Sequence, residues 1–269
     1  LFETPEIVPG RVGSAVSLSG ENGVTLADVA AFTRSDPFTL SLWLWTDEIT
    51  DRAVVVHASK SWTDAGSRGY QVLLEDGRVS ASLIHFWPGN AIRVLALDPV
   101  VPRTWTHVVV TYDGSSRADG LRVYTDGAAT LTETVRDHLY KDITYGAAVA
   151  ITIGQRFRDR GFKGGKVDEF RVFDRELTSL EVASLASSTP GLPNAAEDDL
   201  YTYYLAAHDP TYHDALCALQ TARRERDAVA NGLPEIMAMH ERDRPRPTYL
   251  LRRGAYDAPG EQVYAGPPA

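Results

Sequence analysis

The chain has 269 residues, 43% of them hydrophobic and 23% charged, with a formal net charge of −9. That acidity argues against nucleic acid or an anionic membrane as a partner, since both would be repelled. Cys217 is the single cysteine, which excludes an intramolecular disulfide and a cysteine-based zinc site. No apolar run approaches the roughly 20 residues that span a bilayer.

From Ala15 to Phe173 short apolar runs alternate with turn residues, the pattern of an all-β sandwich. Strands are predicted at 15–19, 24–26, 38–46, 53–59, 70–75, 78–86, 92–97, 106–112, 121–125, 149–154 and 166–173. In FTLSLWLWT, Phe38, Leu40, Leu42 and Leu44 share one face and Trp43 and Trp45 the other. Both faces are apolar, so a central strand covered on both sides is expected, with Trp43, Trp45 and Trp105 in the core. Asp76-Gly77, Asp113-Gly114 and Asp126-Gly127 mark turns. So many short strands predict two packed sheets.

At Asp174 the period changes. Thr178, with Glu181 three residues on, forms a capping box for a helix reaching Leu185. Residues 188–208 read as a linker and connecting segment. Asp209-Pro210 then opens a helix over 209–232, with Asp as N-cap and Pro at the first helical position. From Pro234 to Ala269 the chain reads as irregular and extended, with Arg242, Arg244, Arg246, Arg252 and Arg253 set among prolines. The sequence starts without Met and stops in Pro- and Gly-rich residues, so a piece of a longer protein is expected.

WTHVVVTYDGSSRADGLRVYTDG (Trp105–Gly127) resembles the strand–turn–strand signature of laminin-G-like, concanavalin-A-like jelly rolls. ITIGQRFRDRGFKGGKVDEFRVFDRELTSLEVASL (Ile151–Leu185) is similar to that family's closing pattern, and Gly10–Leu26 and Phe38–Trp45 fit its opening strands. Ser19 stands where the family often has Asp. The resemblance implies a two-sheet antiparallel jelly roll over 1–187. The tail from Tyr203 to Val263 resembles the opening of a domain of unknown function near the C-terminus of large exported, cytochrome-linked proteins of planctomycete type. That implies an extracytoplasmic setting with neighbouring domains of a parent protein, while the lack of Cys-x-x-Cys-His means no haem here. Segment 233–269 is then the start of that domain.

Relatives of the jelly roll commonly hold a structural Ca²⁺ with an Asp at the position of Asp168 and oxygens from the turn after the first strand. In this sequence the set implied is Asp168, Gly20 and Asn22, with Glu21 beside them, all hard oxygen donors. Alternation puts Asp168 on one face with Phe170 and Val172, where a carboxylate needs a partner. Backbone N–H groups from a neighbouring loop would serve equally well.

Trp62 and Trp87 fall in loop-like stretches beside Asp64, Arg68, His85 and Asn90. Aromatic faces stack on sugar rings and the polar groups can meet hydroxyls, so a carbohydrate ligand is one reading. The other is structural, with Trp87 and Phe86 plugging one end of the sandwich and Trp62 packed under a loop. A retaining glycosidase needs two carboxylates roughly 5 Å apart facing one cleft. No strand carries Glu-x-Glu or Glu-x-Asp, and adjacent Asp168 and Glu169 point apart. His57, His85, His107 and His138 lack metal-ligand spacing. A non-catalytic binding module is therefore expected, or else a domain that braces its neighbours.

Overall fold

A computed structural model describes residues 3–60, 66–145, 150–187, 195–234, 236, 246–254, 257–264 and 266. The alternating runs form β1 (Glu6–Pro9), β2 (Ser14–Leu18), β3 (Val24–Ala27), β4 (Phe38–Thr46), β5 (Arg52–Ser59), β6 (Gly69–Glu75) and β7 (Arg78–Phe86). They continue as β8 (Asn90–Pro99), β9 (Thr106–Tyr112), β10 (Leu121–Thr125), β11 (Ala128–Ala129), β12 (Thr132–His138), β13 (Ala150–Ile153) and β14 (Gly165–Phe173). One antiparallel sheet runs β1-β2-β14-β4-β9-β10-β11 and the other β12-β8-β7-β6-β5-β13-β3.

Side chains of alternate residues from both sheets meet between them. Leu40, Leu42 and Leu44 of β4 and Val108 and Val110 of β9 pack against Val72, Leu74, Ala81, Leu83, Ile92 and Val94 of the second sheet. One end is closed by aromatic rings, with Phe38 stacked on Phe32 at 4.7 Å and Tyr70 and Tyr112 at 5.0 and 5.4 Å from Phe38. The β6–β7 turn needs positive φ at Asp76 (51°) and Gly77 (73°), as its Asp-Gly sequence predicts.

Three strands escape the sequence pattern, and all lie at or beside sheet edges. In β12 (TETVRDH) both faces are largely exposed, so no apolar alternation marks it; pairing with β8 makes it a strand. β1 is an edge strand ending in proline, and β11 is two residues long.

Helix α1 (Ser179–Ala186) has the expected capping box, with the Thr178 side chain accepting from the Glu181 N–H. Its Val182 and Leu185 cover Val109, Tyr124 and Phe173 on the outer face of the first sheet. The expected linker instead carries α2 (Glu197–His208). Glu197, Asp198 and Asp199 occupy its first turn, where carboxylates favour the positive end of the helix dipole. Helix α3 (Pro210–Gly232) begins as predicted, with Asp209 Oδ1 accepting from Tyr212 N–H at 2.7 Å.

Polar bonds seat α3 on the sandwich. Arg34 and Asp227 form a buried ion pair at 2.6 Å. Arg223 donates to Asp113 O at 2.6 Å, Arg224 pairs with Asp36 at 2.9 Å, and Lys141 donates to Ala230 O at 2.6 Å.

Residues 1–232 form one compact unit and 233–269 another. The second departs from the irregular, extended segment expected: β15 (Thr248–Leu251) and β16 (Pro259–Val263) pair antiparallel, and Arg253, just after β15, takes φ 53°. Arg242 and Arg244 lie outside the described residues. Among the described residues no helix is long and apolar enough to cross a membrane.

Candidate functional site

One row of directly opposed residues crosses every strand of the second sheet: Thr25, Thr152, His57, Gln71, Ser82, Arg93 and Arg136. The residues flanking the middle five belong to the core, namely Ile151 and Ile153, Val56 and Ala58, Tyr70 and Val72, Ala81 and Leu83, Ile92 and Val94. Alternation therefore turns the whole polar row to the outer face. Thr25 and Thr152 hydroxyls lie 3.2 Å apart, and Gln71 Nε2 donates to Ser82 Oγ at 3.0 Å.

The β13–β14 connection lays Arg156 across this row, only 1% exposed. Its Nη1 donates to Ser59 Oγ at 3.2 Å and to Gln71 Oε1, and its Nε to Asp159 Oδ2 at 3.0 Å. Asp159 also accepts from Arg52 Nε at 3.0 Å, and Glu75 is shared by Arg52 and Arg93 at 3.2 and 3.4 Å. Burial pushes the Asp159 carboxyl up, but the bonds from Arg52 and Arg156 outweigh it and hold it below the usual range. Burial, reinforced by Arg156, lowers His57 to about 4, so its imidazole is neutral. It sits between Gln155 O at 3.0 Å and Ser59 Oγ at 3.0 Å. Ser80 Oγ and Gln155 Oε1 are buried without a hydrogen-bond partner among the described residues. The signal for this row was available in the sequence, as a single polar residue between two apolar ones in strand after strand.

Of the residues expected to meet a sugar, Trp87 lies in the β7–β8 turn, half-buried, before a cis proline. The Arg93 guanidinium sits 3.9 Å from its ring centroid, which ties it to the polar row. Phe86 is 56% exposed and plugs nothing. Arg68 donates to His85 O at 3.3 Å, with its Nη2 2.9 Å from His85 Nε2, and His85 in turn bonds Asp142 O. Asn90 is buried, and its Oδ1 accepts from Tyr140 and Lys141 N–H at 2.9 and 3.3 Å. Its carbonyl pins a loop instead of facing a ligand. Trp62 and Asp64 lie outside the described residues.

The residues expected to bind calcium are not brought together. Asp168 Oδ2 accepts from Val12 N–H and Oδ1 from Glu169 N–H, both at 2.8 Å. Asn22 serves its own turn, accepting from Ser19 N–H at 2.8 Å and donating to Ser17 O at 3.2 Å. Val12 precedes β2 and Gly20 and Asn22 follow it, so the two groups stand at opposite ends of a strand roughly 16 Å long. Among the described residues no three His, Cys, Asp or Glu side chains are placed to share a metal.

The expected grouping of Asp168 with Phe170 and Val172 also fails. A bulge between Asp168 and Arg171, with Glu169 at φ 49°, breaks the alternation. Asp168, opposite Trp43, faces outward, while Val167, Phe170 and Val172 face the core. Trp43, Trp45 and Trp105 are likewise half-buried, outside the core. Arg11 lies 4.9 Å from the Trp43 ring and the Lys166 ammonium 4.1 Å from the Trp45 ring, so basic side chains cover these indoles.

A family model described as the concanavalin A-like lectin/glucanases superfamily, of laminin-G type, matches residues 18–183. The chain belongs to this superfamily. The match ends within α1 and leaves the tail from Tyr203 to Val263 untouched. A search of curated proteins finds no match. Among solved structures, the binding domain of Paraclostridial Mosquitocidal Protein 1 is similar at 16% identity and TM-score 0.52, over 70% of this chain and 47% of that one. The binding domain of botulinum neurotoxin serotype G is similar at 14% identity and TM-score 0.50, over 69% and 46%. Domain 4 of AbnA, an extracellular arabinanase from Geobacillus stearothermophilus solved with arabinotriose, is 21% identical at TM-score 0.48, over 69% and 82%. The chain spans about half the length of the two toxin domains. At these identities the likeness is one of superfamily fold.

Proposed function

We propose that the protein is a non-catalytic binding module whose ligand is a carbohydrate, held on the outer face of the second sheet beside Trp87. The observation that carries this is the pair of accessible aromatic groups set over the buried polar row: half-buried Trp87 over Arg93, and Phe157, 64% exposed, next to Arg156. Sugars offer C–H faces to aromatic rings and hydroxyls to amides, hydroxyls and guanidinium groups. Membership in a superfamily named for lectins and glucanases favours the same ligand class.

Catalysis is set aside because the nearby carboxylates are committed. Glu75 lies between Arg52 and Arg93, and Asp159 between Arg52 and Arg156. Calcium is left out because Asp168 and Asn22 spend their oxygens on backbone N–H groups. The resemblance of the tail supports an extracytoplasmic setting among neighbouring domains of a longer protein. The docking of α3, with Leu200, Tyr201 and Tyr204 exposed on α2, favours a second reading as a domain that braces those neighbours.

A glycan array followed by calorimetry on the best-bound glycan separates the two. Trp87→Ala is expected to weaken binding tenfold or more, about 1.4 kcal/mol, without altering the melt. Absence of any glycan ligand, or full affinity in the variant, leaves the bracing role standing.

A further inference from the structure

The first sheet has a cavity of its own, about 600 Å³, on the outer face that α1 leaves uncovered. Arg11, Ser41, Trp43, His107, Glu169 and Arg171 line it, and the last turn of α1 closes one side. Most polar groups there are already satisfied. Arg171 pairs with Glu169, Asp168 beneath them holds two N–H groups, and Ser41 Oγ lies 2.9 Å from His107 Nε2.

Two groups are not. The Arg11 guanidinium rests against the Trp43 indole with no carboxylate partner among the described residues. His107 is 2% exposed, and its Nδ1 has no hydrogen-bond partner among the described residues. An arginine lodged against an aromatic ring keeps its fork of N–H donors free, and that fork matches a carboxylate. A buried imidazole nitrogen left unbonded is costly.

The placement of Arg11 is built into the fold. Val12 N–H bonds Asp168, Gly10 N–H bonds Gly13 O at 3.1 Å, and Gly13 takes φ 68°. A Cβ on Gly10 would stand 2.4 Å from Asp168 Oδ2, so only glycine lets the turn close over that carboxylate. The buried Asp168 thus acts as the anchor that sets Arg11 over Trp43.

We propose that this cavity is a second ligand site, on the opposite sheet from the polar row, and that it takes an acidic sugar: a pyranose whose carboxylate is clamped by Arg11 beside Trp43. The volume falls within the range of small-ligand pockets, well beyond a bare carboxylate. The Glu169–Arg171 pair on the wall offers both an acceptor and donors to further hydroxyls.

The test is calorimetric titration of the full chain with digalacturonate, its neutral counterpart galactobiose, and acetate. Digalacturonate is expected to bind, with galactobiose and acetate at least tenfold weaker. Arg11→Ala, a change on an exposed turn, is expected to lose tenfold or more, and Arg11→Lys less. Arg117→Ala, an equal loss of charge at an exposed position outside the cavity lining, is expected to bind digalacturonate as the wild type does. No binding of digalacturonate, equal binding of galactobiose or acetate, undiminished affinity in Arg11→Ala, or an equal loss in Arg117→Ala would each overturn the proposal.

Discussion

Asp168 shows how much one side chain's role depends on where its strand bends. Both its oxygens accept backbone N–H bonds, one from the next residue and one from a turn 156 positions away. Asp168→Asn keeps the shape but aims an amide N–H₂ at one of those donors. The expected cost is about 1–3 kcal/mol of stability, read from urea unfolding, with weaker digalacturonate binding as Arg11 loses its anchor. A variant as stable as wild type would show that the turn holds without the carboxylate. Asn90 teaches the same lesson in reverse. It sits in a turn-rich, ligand-like stretch of sequence, yet it is buried and holds Tyr140 and Lys141 in place.

At the scale of elements, α3 is a clasp whose grip is electrostatic. Asp227 is its buried residue, and it meets an Arg34 that also donates to Ser116 Oγ at 3.2 Å and Leu139 O at 3.4 Å. Burial lowers the Arg34 pKa despite the pull of Asp227, a sign of how much desolvation the pair bears. Removing one partner strands the other charge. Asp227→Ala is therefore expected to destabilise by about 3–5 kcal/mol and to speed hydrogen exchange across α3, while replacing both charges with apolar residues costs far less. Unchanged exchange in Asp227→Ala would assign the docking to Arg223, Arg224 and Lys141. The strands divide by the same logic of surroundings. β4 announces itself by alternation because Phe38, Leu40, Leu42 and Leu44 all face the core between the sheets, whereas β12 is charged on both faces and exists because β8 offers it an edge.

For the whole molecule, both sheets bury a neutral histidine on their outer faces. Burial, with Arg156 beside His57 and Arg171 opposing Asp126 at His107, lowers both to about 4 from an ordinary 6.5. Between those values the unfolded chain binds more protons than the folded one, so stability is full above about pH 6.5 and declines as pH falls toward 4. The slope reaches about 1.4 kcal/mol per pH unit for a fully buried imidazole such as His57. Melting temperature is expected to drop from pH 7.5 to pH 5, and His57→Gln to flatten that drop. A melt independent of pH in the variant and wild type alike would mean that neither imidazole resists protonation.

Local chemistry is what the sequence by itself determined: the sandwich strands with apolar alternation, the Asp76-Gly77 turn, the Thr178–Glu181 capping box and the start of α3. Each depends on residues within a few positions of one another, so the pattern is complete before the chain folds. Only the tertiary structure decided which side of β14 Asp168 faces, because a one-residue bulge reverses every side chain beyond it. It alone also aligned His57, Gln71, Ser82 and Arg93 into one row and set Arg11 over Trp43. Those arrangements rest on strand register and loop placement, which bring together residues far apart along the chain.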